Sequence, residues 1–243
     1  MKNSILFILI GLLTINLLSS QNEVLFSKVT TKEINGQLIY LLNGEKLDGI
    51  IYHNHPNNKL KVKFHVKNGL KEGLSKEYYN NGQLKDIVTY QDGKRQGLFE
   101  EYYEDGQLLE KFTYDKGEID GLYEEYHKSG QLKQIINYQE GEMDGPGEVY
   151  YETGKLKEKS TYEDGKRNGS FNKYYEDGQL WAKTTFKNGK LNGGFETYFE
   201  NGKLNIRANY TNDLKEGVNE TYHENGNLKL KGNYTNGKKK WCF

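Results

Sequence analysis

The sequence predicts an all-β fold: an elongated antiparallel sheet or solenoid of tandem 24-residue β-hairpin repeats, preceded by an N-terminal signal-peptide helix. The first observation is a glycine that returns every 24 residues, and self-similarity at a fixed period is typical of repeat architectures. These glycines are Gly73, Gly97, Gly121, Gly145, Gly169, Gly193 and Gly217. The second observation is that each unit contains two turn signals and two short segments rich in Tyr and Leu. That pattern indicates one hairpin and its connection onward.

The chain divides into four segments. Residues 1–20 contain one basic residue, an apolar run and a small polar end, which is the layout of a secretory signal peptide. This layout predicts export to the periplasm, the outer surface or the medium after cleavage near Ser20; a retained N-terminal anchor is the alternative. Residues 21–48 are predicted to form a capping β segment, because the terminal units of an array are atypical. Residues 49–240 are eight repeats, of which 49–72 is degenerate, and 241–243 are a C-terminal tail.

Glycines mark the turns within the repeats. The mid-repeat turns contain Asp-Gly, Asn-Gly, Ser-Gly or Thr-Gly, as at Gly106 and Gly130. Such turns need a positive φ, which glycine adopts without steric cost. Where a turn glycine is absent, the array has Asn58 or Asp213, residue types that tolerate the left-handed region. We therefore predict a left-handed conformation at these two positions.

Two hairpin registers are compatible with the repeat. A two-residue turn at 105–106 pairs Tyr103 with Leu108 and Glu100 with Lys111, and Asp-Gly dipeptides favour this turn. The same register gives the pairs Phe99–Phe112, Glu148–Lys159, Glu196–Arg207, Glu220–Lys231 and Tyr123–Ile136. A three-residue turn with a glycine bulge loses the charge pairs and instead places one apolar set on a single face. That set is Leu98, Tyr102, Leu108, Phe112 and Tyr114.

Three positions of the repeat are nearly invariant and are predicted to hold the sheet together. The fifth position after the opening glycine is Tyr78, Tyr102, Tyr126, Tyr150, Tyr174, Tyr198 and Tyr222. The eleventh is Leu84, Leu108, Leu132, Leu156, Leu180, Leu204 and Leu228, and the seventeenth is Tyr90, Tyr114, Tyr138, Tyr162, Phe186, Tyr210 and Tyr234. Strict repetition suits packing against copies of the same side chain. The structural positions are thus Tyr102, Leu108, Tyr114, Tyr126, Leu132 and Tyr138, with the turn glycines Gly106 and Gly130.

The sixth position, here called column six, is the predicted binding surface. Its members are Tyr79, Tyr103, His127, Tyr151, Tyr175, Phe199 and His223. Variation among Tyr, His and Phe suits side chains that are not locked in self-packing. Rigid aromatic rings contribute large contact area with little loss of entropy when a macromolecule binds.

Composition excludes several classes of protein. Without the leader the chain has 33 basic and 34 acidic residues, since Lys2 is the one charged residue of the first twenty. A nucleic-acid-binding protein is expected to carry a basic excess, so nucleic acid is not a predicted partner. The single cysteine, Cys242, excludes an internal disulfide framework. Twenty tyrosines in a chain that is 35% hydrophobic predict a thin core built from amphipathic rings.

The connections between units carry a family resemblance. The segments 91–97, 163–169 and 187–193 read QDGKRQG, EDGKRNG and KNGKLNG, and each resembles the N-G-K-x-x-G core of MORN repeats. The whole unit, with Tyr-Tyr-x-x-Gly-x-Leu followed by Tyr-x-x-Gly, resembles the bacterial MORN variant over residues 49–240. The resemblance implies a long antiparallel sheet of hairpins that acts as a binding or scaffolding module. Bacterial members are often filed with antitoxins of toxin–antitoxin systems.

No motif predicts catalysis, a cofactor or a metal. His53, His55 and His65 are spaced in a way that zinc could use, but polar substitution in a degenerate repeat explains them better. Paired acids such as Glu100-Glu101 recur at repeat positions beside lysines, which indicates a solvated face. We therefore expect a non-enzymatic module that binds an unknown protein partner, with a membrane surface or a glycan as other partners. The alternatives are an antitoxin-like partner of a toxin and a carboxylate-based hydrolase.

Overall fold

The structure is a computed structural model and describes residues 23–240. The expected signal peptide and the C-terminal tail lie outside these residues. The described chain is almost entirely β-strand, with a single turn of 3-10 helix at Phe26–Lys28. The strands are β1 Glu23–Leu25, β2 Thr30–Ile34, β3 Gln37–Leu42, β4 Glu45–Lys46, β5 Gly49–Asn54, β6 Leu60–Lys67, β7 Leu70–Tyr78, β8 Leu84–Gln91, β9 Lys94–Tyr102, β10 Leu108–Asp115, β11 Glu118–Ile119, β12 Gly121–Tyr126, β13 Leu132–Gln139, β14 Glu142–Tyr150, β15 Leu156–Glu163, β16 Lys166–Tyr174, β17 Leu180–Lys187, β18 Lys190–Tyr198, β19 Leu204–Thr211, β20 Leu214–Tyr222, β21 Leu228–Thr235 and β22 Lys238–Lys240.

One long sheet runs through the repeats, as predicted. It has 19 strands, and from β5 to β22 strands that are consecutive along the chain pair antiparallel, except that β11 and β12 both pair with β10. The first strand, β1, joins the edge of the sheet by parallel pairing with β5. Each repeat contacts mainly its sequence neighbours, which is the behaviour expected of a quasi-one-dimensional repeat protein.

The residues before the first repeat fold back onto it. Strands β2, β3 and β4 form a separate three-stranded antiparallel sheet. Tyr40 of this small sheet and Leu47, which directly follows β4, pack against Ile51, Phe64 and Val66 of the first repeat, in a buried cluster that also includes Val24. The hairpin between β2 and β3 turns at 35–36, and its first strand begins at Thr30.

The mid-repeat turn is a three-residue turn with a glycine bulge, so the predicted two-residue turn is wrong. Tyr103 N–H donates to the Gln107 carbonyl at 2.7 Å, and Gly106 N–H donates to the Tyr103 carbonyl at 2.9 Å. The φ of Gly106 is 90°, which a side chain would resist. Leu108 consequently pairs with Tyr102, not with Tyr103.

A second bulge then restores the register that the two-residue turn predicted. The pairing shifts by one residue between Leu108 and Glu110, so that Lys111 faces Glu100 and Phe112 faces Phe99. The predicted pairs Glu148–Lys159, Glu196–Arg207, Glu220–Lys231 and Tyr123–Ile136 are confirmed by the same mechanism. The one-residue shift at the turn and the one-residue shift at this bulge cancel, so the charge pairs form as in the register with the two-residue turn.

The two-residue turns lie at the connections between repeats. Gln91 pairs with Lys94 across Asp92 and Gly93, whose φ values are 48° and 79°. Positive φ at both central residues defines the type I′ hairpin turn. The predicted left-handed conformations of Asn58 and Asp213 are confirmed, with φ of 63° and 68°.

One row of residues across the strands contains many of the buried side chains. This core row is Ile51, Phe64, Ser75, Val88, Phe99, Phe112, Tyr123, Ile136, Gly147, Ser160, Phe171, Thr184, Phe195, Ala208, Asn219 and Gly232. Its aromatic centre is Phe112, whose ring lies 4.7 Å from Phe99, 5.0 Å from Tyr114 and 5.5 Å from Tyr123. Tyr114 of the seventeenth position is buried beside this row, whereas Tyr102 and Leu108 are half-buried.

Candidate functional site

The sheet presents two chemically different faces. Successive strand residues point to opposite sides, and directly paired residues point to the same side. One side carries the core row and is called the core face. The other carries Glu100, Lys111 and the residues paired in line with them, and is called the ion-pair face.

Acids and bases alternate over much of the ion-pair face, although Ile135 lies between Glu124 and Glu148. Nitrogen–oxygen distances between 2.8 and 3.0 Å join Lys111 to Glu124, Lys159 to Glu148, Lys183 and Arg207 to Glu196, and Lys231 to Glu220. The fifth-position tyrosines complete this pattern. The Tyr102 hydroxyl donates to Glu100 at 2.8 Å, and the same contact to the glutamate two residues earlier recurs at Tyr126, Tyr150, Tyr198 and Tyr222. The invariant tyrosines therefore orient the carboxylates of this face.

These contacts move the titration of both partners. Hydrogen bonds from Lys183 and Tyr198 lower the pKa of the Glu196 carboxyl to about 2. Burial and the hydrogen bond to Glu148 raise the pKa of the Tyr150 hydroxyl to about 12. Glu196 therefore stays ionised and Tyr150 stays neutral over the ordinary pH range, so the charges of these two groups do not change with pH.

Three leucines project from the ion-pair face. Leu74, Leu98 and Leu122 occupy the first position after the opening glycine in three successive repeats, and their exposed fractions are 41%, 53% and 51%. Thr89 pairs with Leu74 and Thr113 pairs with Leu98, on the strands between them. With strands about 4.8 Å apart, the leucines form a column about 20 Å long. This leucine column was not recognised from the sequence, although its 24-residue spacing is visible there.

Column six makes contacts between repeats that the sequence did not indicate. The hydroxyls of Tyr79, Tyr103, Tyr151 and Tyr175 donate to the carbonyls of Tyr102, Tyr126, Tyr174 and Tyr198 at 2.7–2.9 Å. His55 and His127 place Nε2 near the carbonyls of Tyr78 and Tyr150 in the same way. Each contact reaches 23 residues ahead, from one mid-repeat turn to the next. Column six thus links successive hairpins.

The remaining surface of column six is partly exposed. Six of its members are half-buried, and His223 is exposed. Phe199 has no hydroxyl and occurs where the neighbouring repeats have a hydrogen-bonding ring. A contact role for these rings stays a prediction, now beside a structural role.

A row of five carboxylates crosses the core face. Glu77 pairs with Asp86, Asp86 with Glu101, Glu101 with Glu110, and Glu110 with Glu125. Like charges directly opposite each other destabilise a sheet. Lys85 and Lys133 lie at the ends of this acidic row, and the Tyr123 hydroxyl donates to Glu110 at 2.6 Å.

The acidic row titrates in the direction opposite to Glu196. Burial first, and then the charge of Glu77, raises the pKa of the Asp86 carboxyl; burial and Glu110 do the same for Glu101. The folded state therefore binds these protons more tightly, so the row costs stability above the raised pKa and the cost vanishes as the pH falls. The stabilising contribution of Glu196 is instead present above the ordinary carboxyl pKa of 4.5 and is lost as the pH falls towards about 2.

The histidines of the first repeat have separate environments. His53 lies 5.9 Å from the Phe26 ring, His55 contacts the Tyr78 carbonyl, and His65 pairs with Ile50. Residues 23–240 contain no group of three or more His, Cys, Asp or Glu side chains arranged to hold a metal ion. Over the same residues, no helix has the length and apolar character needed to cross a membrane.

Comparison with known families decides the identity of the repeats. The family model described as MORN repeat variant matches seven segments: 71–92, 95–116, 119–140, 143–164, 167–188, 191–212 and 215–236. The chain belongs to the MORN repeat variant family. Each match covers one mid-repeat hairpin with its flanking strands, and the matched segments together cover more than half of the chain. A search of curated proteins gave no match.

Family membership gives the function in coarse terms. MORN repeats generally serve as binding modules for proteins or membranes and are not themselves enzymes. Residues 49–70 of the first repeat lie outside the matched segments, in keeping with its substituted turn and tyrosine positions.

Proposed function

We propose that the protein is an exported, non-enzymatic MORN repeat protein that binds a protein partner on the ion-pair face of its N-terminal repeats. The observation that carries this proposal is the leucine column formed by Leu74, Leu98 and Leu122. Large apolar side chains that recur at one exposed position of a repeat form a contiguous patch, and such patches mark interaction sites.

The surroundings of the leucine column suit a protein interface. Tyr78 on β7 and Tyr102 on β9 are half-buried, and charged groups such as Glu100 and Lys111 lie nearby. An apolar centre with tyrosines and a charged rim is the usual composition of a protein–protein contact. The partly exposed rings of column six are a second contact surface under this proposal.

Export is the second part of the proposal. It rests on the layout of residues 1–20, in which Lys2 is followed by an apolar run and small polar residues. N-terminal sequencing of the protein recovered from cells checks it. A mature chain that begins near Gln21 supports export with cleavage, and an intact Met1 contradicts cleavage.

The partner is identified by crosslinking from envelope extract and mass spectrometry, with three forms of the protein as bait. The test variant carries Leu74→Ser, Leu98→Ser and Leu122→Ser. The matched control is Val218→Ser, because Val218 occupies the same repeat position and is also exposed. We expect one protein to be captured by the wild type and the control and lost from the triple variant, with unchanged urea unfolding of all three.

Several outcomes would contradict the proposal. Equal capture by the triple variant would remove the leucine column from the interface. Enrichment of lipid or polysaccharide without protein would favour a membrane or glycan partner, and capture of a single toxin would favour the antitoxin reading. Turnover of esterase, glycosidase or phosphatase substrates by the purified protein would contradict a non-enzymatic role.

A further inference from the structure

A cavity on the ion-pair face lies far along the array from the leucine column. It has a volume of about 420 Å³, is open to solvent, and is lined by Asn172, Lys183, Thr185, Gly194, Arg207 and Asn209, with Glu196 at its side. Volumes of this size are typical of small-molecule sites. We propose that this cavity binds a hydroxylated monocarboxylate of the size of a hexuronic acid.

The cavity exists because a side chain is missing at Gly194. This residue occupies the position that holds Leu74, Leu98 and Leu122 in other repeats. Its backbone does not require glycine, since its φ is outside the left-handed range and an added Cβ would meet only Asn209 Oδ1, at 3.9 Å. A glycine within a strand weakens the strand and often marks a bulge or the close approach of a ligand. Gly194 lies in the bulge opposite Thr185, but the same bulge position is Leu74 and Leu98 in other repeats, so the bulge does not require glycine. The conformation therefore leaves the absence of a side chain unexplained, and a ligand explains it.

The charge pattern is also interrupted at this cavity. Asn172 occupies the position that is glutamate in five other repeats: Glu100, Glu124, Glu148, Glu196 and Glu220. One carboxylate is thus absent from the alternating column. Glu196 is shared by Lys183 at 2.8 Å and Arg207 at 3.0 Å, whereas Glu148 and Glu220 each bind one cation. The cluster Lys183–Glu196–Arg207 carries a net charge of +1, which one anionic group would neutralise.

The polar groups around the cavity have unused hydrogen-bonding capacity. Arg207 contacts Glu196 through Nε, which leaves the two Nη groups of its guanidinium without a partner among the described residues. The side-chain amides of Asn172 and Asn209 likewise make no hydrogen bond within residues 23–240. A guanidinium fork binds a carboxylate through two parallel hydrogen bonds, and amide groups can both donate to and accept from hydroxyls. This set fits a ligand that has one carboxylate and several hydroxyls.

The test is a titration of the ¹⁵N-labelled full chain with glucuronate, followed by chemical shifts, with glucose, acetate and inorganic phosphate as separate probes. We expect saturable shifts at Gly194 and Arg207 with glucuronate and much weaker binding of glucose and acetate, because each has only part of the recognised chemistry. Equal or tighter binding of phosphate would overturn the proposal in favour of an unselective anion site. The absence of saturable shifts with glucuronate would overturn it as well.

Variants show whether the cavity is responsible. Gly194→Leu introduces the residue of three other repeats and should weaken glucuronate binding about tenfold or more by filling the site. Asn172→Glu restores the common glutamate and should have a similar effect by neutralising the positive charge. Val218→Leu is the control at the same repeat position and should bind as the wild type. Unchanged binding by Gly194→Leu would overturn the proposal.

This site is independent of the proposed protein interface. The triple leucine variant should bind glucuronate as the wild type does, and Gly194→Leu should capture the protein partner normally. Failure of one proposal therefore leaves the other open to its own test.

Discussion

The hydroxyl group of Tyr151 offers a direct measurement of how strongly successive repeats are linked. It donates to the Tyr174 carbonyl at 2.8 Å, from one mid-repeat turn to the next. Removing one hydrogen bond of this kind costs about 0.5–1.5 kcal/mol. Tyr151→Phe deletes the donor and keeps the ring, so it isolates that contribution from packing.

Phe199 allows the reciprocal substitution, which adds a hydroxyl to column six. This residue occupies column six without a hydroxyl, and Phe199→Tyr would place a donor near the Tyr222 carbonyl, as the repeated geometry indicates. We expect Tyr151→Phe to lower the free energy of unfolding by about 1 kcal/mol and Phe199→Tyr to raise it by a similar amount. Urea unfolding followed by far-ultraviolet circular dichroism measures both changes.

Tyr151→Ala removes the ring as well and separates the two roles of column six. Because the ring is half-buried, we expect a loss of about 2 kcal/mol, roughly half the cost of deleting a fully buried aromatic side chain. If Tyr151→Phe and Phe199→Tyr both leave the urea midpoint unchanged, the inter-repeat hydrogen bonds do not form in solution. If Tyr151→Ala then also lost the captured partner without loss of stability, column six would be the binding surface.

Three further changes test other parts of the structure. Phe112→Ala should cost about 3–5 kcal/mol in urea unfolding, whereas Leu98→Ala, on an exposed side chain, should change stability by less than about 0.5 kcal/mol; similar costs would contradict the assignment of the core face. Asp86→Asn should stabilise the protein by about 0.5–1 kcal/mol at pH 7, and the gain should shrink as the pH falls through the raised pKa of the wild-type carboxyl; an equal gain at pH 4 would contradict the repulsion. Gly130→Val should cost about 1–2 kcal/mol because φ there is 83°, and Ser129→Val, at the adjacent turn residue, should cost less; equal costs would contradict a left-handed turn.

The sequence was sufficient to predict the repeat and most strand pairs because both depend on local signals. The 24-residue period is visible by inspection, and charge complementarity identified Glu148 opposite Lys159 correctly. The sequence was insufficient to predict the type of the mid-repeat turn. A two-residue turn and a three-residue turn followed by a bulge give the same distant pairs, so those pairs cannot distinguish them. The hydrogen bond from Gly106 to Tyr103 distinguishes them, and no sequence pattern specified it.

The core row was not predicted from the sequence, for a different physical reason. Its members vary from repeat to repeat in both identity and size, because side chains outside the row can fill the space that a small member leaves, as the Tyr162 ring does over Gly147. Phe99 faces Phe112, whereas Phe195 faces Ala208 and Gly147 faces Ser160. A search for invariant positions misses such a row. Column six was predicted to be the binding surface for a related reason. Its variation among Tyr, His and Phe was interpreted as a sign that these side chains have no structural role.

Invariance in this array instead marks directional contacts. In five of the seven repeats the fifth-position tyrosine donates its hydroxyl to the glutamate two residues earlier, as Tyr102 does to Glu100. Lys76 and Asn172 replace that glutamate in the other two repeats. Hydrogen bonds tolerate little change in length or angle, whereas dispersion contacts are spread over many atoms. The positions at which a repeated pattern is broken without a backbone reason are then the informative ones. Gly194 on β18 and Asn172 on β16 break two such patterns on either side of β17, and the cavity beside them is where the function of an individual repeat can differ from that of the array.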